Sequence, residues 1–370
     1  MFAHDAALLL PTDGLPALVA ALMKAGYQCV GPRVENGAIA MRALTSAEAL
    51  PRGLQAEQAP GRYRVSQDPE NRYFAWANGP QALKPLNFAP QETLWRVGRG
   101  DDGALRFDRV VPEPPKLAAI GVRACDVAAL TLQDAHFLRA ERVDAQYAAR
   151  RAGLFLVAVQ CAVPAATCFC ASTGDGPTPT TGYDIALAEL PEGFVATAGS
   201  EAGQTVLAAL NLAPATARQI DAARAQGEAA AAAQTRRLPG RHLHDALMSR
   251  LEHPRWDAVA ARCLACGNCT AVCPTCFCHA EIDQPALDGA SSTHERVWDS
   301  CFGESHGHLH GLNVRPDIRT RYRQWLTHKL AGWHEQFGRS GCTGCGRCIA
   351  WCPVGIDLTE EVAALMGEQS

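Results

Sequence analysis

The sequence lacks the short motifs that most hydrolases and nucleotide-binding enzymes carry. It contains no Walker A loop, no GxSxG nucleophile elbow and no HExxH metal-binding pair. Gly98, Gly100 and Gly103 do spell GxGxxG, but residues 105–107 after them are typical of a strand, whereas a dinucleotide site requires a helix there. We interpret the glycines as a hairpin turn, and we expect no catalytic residues for hydrolytic or nucleotide chemistry.

The sequence also lacks long apolar runs and a marked excess of one charge. Residues 6–23 are mostly apolar, but two prolines and an aspartate interrupt them and no basic region precedes them, so we expect no signal peptide. Residues 153–163 are too few to cross a bilayer as a helix, and we expect no membrane span. The net charge of -4, from 34 basic and 38 acidic residues, indicates neither a nucleic-acid partner nor an anionic membrane surface.

What the sequence has in abundance is cysteine, with 16 residues in 370. A secreted disulfide-bonded scaffold is normally much shorter, and it lacks tandem CxxC pairs that are too close together for mutual bonding. Metal binding in a reducing compartment is the better interpretation, and we predict a cytoplasmic protein. A chain of this length can hold two or three domains, and its 48% hydrophobic content suffices for sizeable cores.

The first of two predicted regions, residues 1–250, has the pattern of an α/β or α+β fold. An amphipathic helix follows Asp13, which is a plausible cap. Farther on, two apolar segments typical of buried strands, 117–122 and 154–159, flank a helical segment at 127–140. This order indicates a βαβ unit.

The second region, residues 251–370, has a different residue pattern. It consists of cysteine runs, helical patches and basic residues, with almost no β alternation, and it predicts an all-α, helical ferredoxin-like dicluster domain. An alanine-rich stretch at 222–237 precedes the boundary. We interpret that stretch as an exposed helix or a connecting arm.

Two copies of the run CxxCxxCxxxCP carry the strongest chemical signal. Their spacing lets three thiolates of one tight loop reach three irons of a [4Fe–4S] cube, and proline then redirects the chain. The runs are Cys263, Cys266, Cys269 and Cys273 before Pro274, and Cys342, Cys345, Cys348 and Cys352 before Pro353. Zinc is the alternative, because zinc ribbons also use paired CxxC elements, but a CxxxCP step is not typical of them.

The two runs together predict two [4Fe–4S] clusters with crossed ligation. In two-cluster ferredoxins the fourth cysteine of each run binds the other cluster. We therefore assign the first cluster to Cys263, Cys266, Cys269 and Cys352, and the second to Cys342, Cys345, Cys348 and Cys273. The runs must then lie side by side, which closes residues 275–341 into a long loop.

A further candidate site lies outside the ferredoxin runs. It comprises Cys125, Cys161, Cys168 and Cys170. Two of these cysteines fall at or near the ends of predicted strands, and four thiolates suffice for a third cluster. Free cysteine is also a common small core residue, and a CxC pair can be redox-active or merely packed, so both interpretations stay open. Cys29 stands alone, and we interpret it as structural.

A trio of cysteines lies within the long loop between the runs. The trio is Cys276, Cys278 and Cys301. His279 or His294 could complete a metal site there; alternatively, the trio packs against the neighbouring cluster and tunes its potential. Half of the twelve histidines, with several arginines, lie in residues 294–334, which predicts a basic segment that stabilises reduced clusters and helps to dock a partner.

The combination of these motifs resembles a known family. The shared segments are GVRACD at 121–126, the cysteines from 161 to 170, CPTCFC at 273–278, WDSC at 298–301 and CTGCGRCIAWCPVGID at 342–357. They resemble the beta subunit of cytoplasmic NAD(P)-linked [NiFe] hydrogenases, also called sulfhydrogenases, and the related iron–sulfur subunit of anaerobic sulfite reductase. The likeness runs from about residue 117 to 358, with Ala124 standing where the family has proline.

The resemblance implies an iron–sulfur electron-transfer subunit. Its partners would be a flavin- and NAD(P)H-binding subunit and a catalytic hydrogenase or sulfite reductase subunit. The resemblance also implies that the four N-terminal cysteines matter. Two alternatives stay open: a catalytic iron–sulfur enzyme that reduces a sulfur substrate at the trio, and an iron–sulfur redox sensor or assembly scaffold. The chain is not itself the nickel–iron site, because it has no CxxC pair near its N-terminus.

Overall fold

The computed structural model describes residues 7–77, 79–81 and 83–367, and both strands and helices occur along its whole length. The strands in these residues are β1 (Leu8–Pro11), β2 (Gln28–Glu35), β3 (Ala38–Ala43), β4 (Leu54–Ala59), β5 (Arg62–Gln67), β6 (Gln91–Arg99), β7 (Leu105–Arg109), β8 (Leu117–Arg123), β9 (Leu138–Arg139), β10 (Arg142–Val143), β11 (Leu154–Val159), β12 (Ile185–Leu190), β13 (Gly193–Ala198), β14 (Ala213–Pro214), β15 (His279–Pro285), β16 (Ser291–Trp298), β17 (His308–Leu309) and β18 (Leu312–Asn313).

Helices connect and cover these strands. In the described residues they are α1 (Leu15–Lys24), α2 (Lys84–Asn87), α3 (Ala124–Phe137), α4 (Ala145–Ala152), α5 (Cys170–Thr173), α6 (Glu201–Ala208), α7 (Ala217–Ala232), α8 (His244–Met248), α9 (Arg255–Ala260), α10 (Asn268–Ala271), α11 (Ile318–Thr327), α12 (Trp333–Phe337), α13 (Arg347–Ala350) and α14 (Leu358–Met366). A π-helical turn, His328–Gly332, joins α11 to α12. None of these helices has both the length and the apolar character that crossing a membrane requires.

The largest sheet has eight strands in the order β14-β1-β13-β12-β11-β8-β2-β3. Its central strands are parallel: β8 pairs in parallel with β2 and with β11, and β11 pairs in parallel with β12. The predicted βαβ unit is confirmed as β8, α3 and β11. A strand that is covered on both faces consists of a continuous run of apolar residues. Strand β11 is of this kind, since it is fully buried, and it could therefore be recognised from sequence.

Helices cover both faces of this sheet. On one face α1 and α6 pack against Phe155, Val157 and Val159 of β11, whereas α3 and α4 pack against the alternate residues Leu154 and Leu156. The predicted first helix is confirmed as α1. The alanine-rich segment forms α7, which buries its small side chains against β12 and β13. The interpretation as a helix is therefore confirmed and the alternative of a connecting arm was wrong, because one face of α7 packs on the sheet while the other is exposed.

The prediction of an all-α C-terminal region was also wrong. Strands β15 and β16 form a hairpin, and β16 pairs with β6 of the N-terminal region in a four-stranded sheet ordered β15-β16-β6-β7. Strand β16 lacks the alternation of apolar residues by which a strand is recognised in a sequence. The buried side chain of this strand is that of Arg296, which is 4% exposed. Its guanidinium forms ion pairs with Glu92 and Asp144. In the same sheet, β6 and β7 confirm that the GxGxxG glycines belong to a hairpin.

The region that holds the ferredoxin runs has its own apolar core. Side chains of α9, α11 and α14 meet there, including Trp256, Trp325 and Val362, and several cysteines of the runs pack against it. Short helices α10 and α13 contact each other, so the two runs lie side by side. The division of the chain at residue 250 stays a prediction, and the β6–β16 pairing crosses it.

Candidate metal centres

The first ferredoxin run builds a cavity with apolar walls. Cys263, Cys266 and Cys269 line it together with Cys352, which comes from the second run. Phe302, Tyr322 and Trp325 form part of its wall. The pKa of the Cys269 thiol lies well above its usual range, first because the thiol is buried and then because the other three thiols surround it. The fold thus brings together the four cysteines assigned from sequence to the first cluster.

The second run gathers its thiols around the fourth cysteine of the first. Burial raises the pKa of the Cys348 thiol, and the neighbouring thiolates of Cys342, Cys345 and Cys273 raise it further. The Cys342 sulfur also lies 3.5 Å from the amide nitrogen of Gly344, which can donate a hydrogen bond to a thiolate. These are the four cysteines assigned to the second cluster.

A left-handed glycine shapes each run. Gly267 (φ +76°) and Gly346 (φ +74°) stand immediately before α10 and α13, where an L side chain would be strained. Each glycine turns the backbone so that the cysteines before the short helix and the cysteine within it face one space. The CxxCGxC pattern therefore has a conformational reason.

The third cysteine set lies at the carboxyl edge of the parallel strands. Cys125 opens α3 directly after β8, and Cys161 follows β11, so that two adjacent parallel strands deliver both thiols to one edge. Cys125 packs with Cys170 and with Cys345 of the second run. Burial raises the pKa of Cys168 to about 12, and the next contribution comes from Cys161. The four N-terminal cysteines are thus neighbours in space.

Tight backbone contacts join this third set to the second run. The Phe169 amide donates to the Gly344 carbonyl at 2.8 Å. A Cβ atom at Gly344 would lie 2.5 Å from the Cys170 nitrogen, which leaves no room for a side chain. Asp126, next to Cys125, accepts hydrogen bonds from the Arg347 guanidinium at 2.6 and 3.0 Å in a buried pair. The two cysteine sets therefore belong to one rigid unit.

The loop trio lies next to Cys273, the fourth cysteine of the first run. Cys276 contacts Cys273, and Cys278 contacts both Cys301 and His306. From sequence, His279 and His294 are the candidate histidines for this site. His294 instead pairs with Glu281 and Asp283 on the β15–β16 hairpin, and His279 contacts the Phe277 carbonyl. His306 was missed because it is 28 residues from Cys278 in sequence and no spacing rule connects them.

Cys29 lies apart from these sets. Its sulfur is 3.9 Å from the Val19 carbonyl between α1 and β2, and burial raises its pKa to about 11. Such a thiol is protonated and inert at neutral pH. This environment agrees with the structural role expected from sequence.

Buried donors without acceptors test whether the sites fit iron–sulfur clusters. The Tyr322 hydroxyl and the Trp325 indole nitrogen are both buried, and neither has a hydrogen-bond partner in the described part of the chain. Both residues line the cavity of the first cysteine set. A buried donor without an acceptor is costly, and the sulfur atoms of a cluster are acceptors. The first site therefore fits a [4Fe–4S] cluster.

Buried cations flank the other two sets. Arg123 donates to the carbonyls of Phe74 and Trp76, and one of its terminal nitrogens lies 3.8 Å from the Cys161 sulfur. Lys329 and Lys84, both 5% exposed, lie near Cys273 and Cys276. In residues 7–77, 79–81 and 83–367, none of these three cations forms an ion pair with a carboxylate. An anionic cluster would supply the missing countercharge of Lys84 and Lys329, whereas the charge of Arg123 also interacts with the Glu189 carboxylate.

Single metal ions are a separate question. Within the residues that the structure describes, no three histidine, cysteine, aspartate or glutamate side chains converge closely enough to hold one ion. A [4Fe–4S] cube binds its four thiolates through four different irons, so its ligands are farther apart than those of a single zinc.

Comparison with known proteins identifies the class of protein. Residues 262–356 match the family model of the 4Fe-4S dicluster domain. The chain is therefore an iron–sulfur protein, in agreement with the two cysteine runs and their shared cavity.

The comparison also identifies the family. The chain is 31% identical over 280 residues to sulfhydrogenase 2 subunit beta of Pyrococcus furiosus, a match that covers 74% of this chain and 80% of the relative. The chain belongs to the family of sulfhydrogenase beta subunits. The prediction of an iron–sulfur electron-transfer subunit of this family is confirmed. No solved structure matches the chain significantly.

Proposed function

We propose that the chain relays electrons between a flavin- and NAD(P)H-binding subunit and a catalytic hydrogenase or sulfite reductase subunit in the cytoplasm. The observation that carries the proposal is the continuous series of cysteine sets, from the cavity at α11 through the second run to the carboxyl edge of β8 and β11. A series of this kind can connect two partners on different sides of the subunit.

We assign two [4Fe–4S] clusters to the ferredoxin runs with crossed ligation. Cys263, Cys266, Cys269 and Cys352 would hold the first; Cys342, Cys345, Cys348 and Cys273 would hold the second. Each cluster, when bound, accepts and releases one electron at a time. The protein contributes a largely dry environment, since Cys342 and Cys345 of the second set are buried. It also contributes donors such as the Tyr322 hydroxyl, which favour the more negative state.

We assign a third [4Fe–4S] cluster to Cys125, Cys161, Cys168 and Cys170. Three of these thiols are 3–6% exposed, and Arg123 faces the fourth. Gln234 donates a hydrogen bond to the Cys170 sulfur at 3.2 Å, as an outer residue commonly does to a ligand. Contact between Cys170 and Cys345 would place the third cluster next to the second. Gly344 and Arg347 hold that arrangement in place.

The experiment separates relay from catalysis in the assembled complex. NAD(P)H oxidation with an artificial acceptor reports on the flavoprotein, and the terminal enzyme with a dye donor reports on the catalytic subunit. Cys348→Ser should leave both partial reactions intact and strongly reduce NAD(P)H-driven turnover of the terminal enzyme. Cys29→Ser, a buried thiol outside the three sets, is the matched control.

Two results would contradict the proposal. One is full coupled activity in a Cys348→Ser complex that has lost iron. The other is turnover of a sulfur substrate by this chain alone, without its partner subunits. That result would favour catalysis at the trio of Cys276, Cys278 and Cys301.

A further inference from the structure

Two of the four lysines in the chain are buried next to cysteines. The lysines are Lys24, Lys84, Lys116 and Lys329, and Lys84 and Lys329 are each 5% exposed. An ammonium group is strongly hydrated, so its burial is unfavourable unless an anion and hydrogen bonds compensate. Among the described residues no carboxylate pairs with either group, and the thiols of Cys273 and Cys276 lie near both.

Lys329 stands between the two chain segments that supply the second cysteine set. Its Nζ donates to the Thr275 hydroxyl at 2.8 Å, and that hydroxyl lies 3.2 Å from the Cys273 sulfur. Its carbonyl accepts a hydrogen bond from the Gly341 amide at 2.8 Å, one residue before Cys342. The ammonium and the backbone of one residue therefore hold both segments.

The backbone around Lys329 is unusual. The residue lies in the π-helical turn His328–Gly332, and such turns are rare and occur frequently at functional sites. Its ammonium is buried beside the second cysteine set, and the anionic thiolates of a bound cluster would hold it as a cation.

Lys84 is a second, less strongly coupled cation in the same area. Its Nζ donates to the Thr270 carbonyl at 3.1 Å and lies 3.9 Å from the centre of the Trp298 ring. Neither contact reaches the Thr275 hydroxyl that lies next to Cys273, so Lys84 is less closely connected to the second cysteine set than Lys329 is.

We propose that Lys329 is a positioning residue that raises the reduction potential of the cluster held by Cys273, Cys342, Cys345 and Cys348, with Lys84 as a weaker second cation. The proposal rests on the proposed function. Reduction adds one negative charge to a cluster, and a fixed positive charge in a water-excluded site favours that state. Because the group is buried, salt screens its effect very little.

The test is a redox titration of the anaerobically purified chain, followed by electron paramagnetic resonance. Lys329→Gln keeps a donor for the Thr275 hydroxyl but removes the charge, Lys329→Arg keeps the charge, and Lys116→Gln is an exposed control. The signal that Cys348→Ser alters identifies the second cluster. In Lys329→Gln we expect the equilibrium constant for reducing that cluster to fall at least tenfold, which is about 59 mV toward lower potential for one electron.

The outcomes separate this inference from the proposed function. Lys329→Arg and Lys116→Gln should keep the wild-type potential, and the other clusters should change little in Lys329→Gln. Unchanged potentials in iron-loaded Lys329→Gln would overturn the inference and leave the relay intact. Wild-type protein that contains no iron would overturn the relay. If Lys329→Gln does not fold, Lys84→Gln carries the test, with a smaller shift in the same direction expected and no shift refuting it.

Discussion

The buried pair between Arg347 and Asp126 gives the sharpest prediction about how the fold holds its sites together. Arg347 belongs to the second ferredoxin run, and Asp126 belongs to α3 at the third cysteine set. Their side chains are 2% and 8% exposed and meet through two hydrogen bonds of 2.6 and 3.0 Å. A further bond of 2.9 Å connects the Arg347 Nε to the Gly79 carbonyl.

The expected magnitude follows from this geometry. Arg347→Met leaves a buried carboxylate without its partner, which costs about 3–5 kcal/mol of stability. Loss of the bond to Gly79 adds about 1 kcal/mol. The sum is a large part of the roughly 5–15 kcal/mol that stabilises a typical domain. In the double variant Arg347→Met/Asp126→Leu no charge is left buried, so its loss should be much smaller than the sum of the two single losses.

Urea unfolding under anaerobic conditions, followed by circular dichroism, measures these free energies from the midpoint and slope. Iron per chain is measured for every variant, which separates loss of the ion pair from loss of a cluster. Arg42→Met is the matched control, because Arg42 and Glu35 form an exposed pair worth about 0–1 kcal/mol. A loss below about 1 kcal/mol for Arg347→Met would refute the reasoning.

Three further predictions concern the same region. Replacing Cys168 and Cys170 together with serine should remove about four irons per chain and leave the ferredoxin pair, as elemental analysis can check. Gly344→Ala should lower the urea midpoint more than Gly338→Ala; both glycines have positive φ, but only at Gly344 would a Cβ meet backbone atoms. Burial lowers the pKa of His136 to about 4 in the folded chain, whereas a histidine in the unfolded chain has a pKa of about 6.5. As the pH falls below about 6.5, the unfolded chain therefore takes up a proton that the folded chain does not, and the folded state loses stability. His136→Phe should therefore lose less stability than wild type between about pH 6.5 and 5, and equal losses would contradict this assignment.

The sequence was most informative where one local rule decides the structure. The cysteine runs have a fixed spacing, and β8, α3 and β11 follow from continuous apolar runs and a helical period. The β15–β16 hairpin escaped recognition because a buried arginine and its two carboxylates replace the apolar alternation. A pattern within a short stretch of sequence cannot reveal that Arg296 is buried, because the carboxylates that pair with it lie more than 150 positions away in the chain.

The environment of the sites was least predictable. Lys329, Arg123 and the Tyr322 hydroxyl lie next to cysteines that are remote in sequence, and no spacing rule links them. One signal was nevertheless available. In a chain with 34 basic residues, only four are lysines, and an isolated lysine within a helical apolar segment, as at 328–331, is a candidate for burial.

Iron and acid-labile sulfide per chain, measured on anaerobically purified protein together with spin counting after dithionite reduction, test the central claim most directly. Three [4Fe–4S] clusters predict about twelve irons and about twelve sulfides, with visible absorption that bleaches on reduction. About eight irons would remove the third cluster and leave the crossed pair. Stoichiometric zinc without iron, and no bleaching, would contradict the account as a whole.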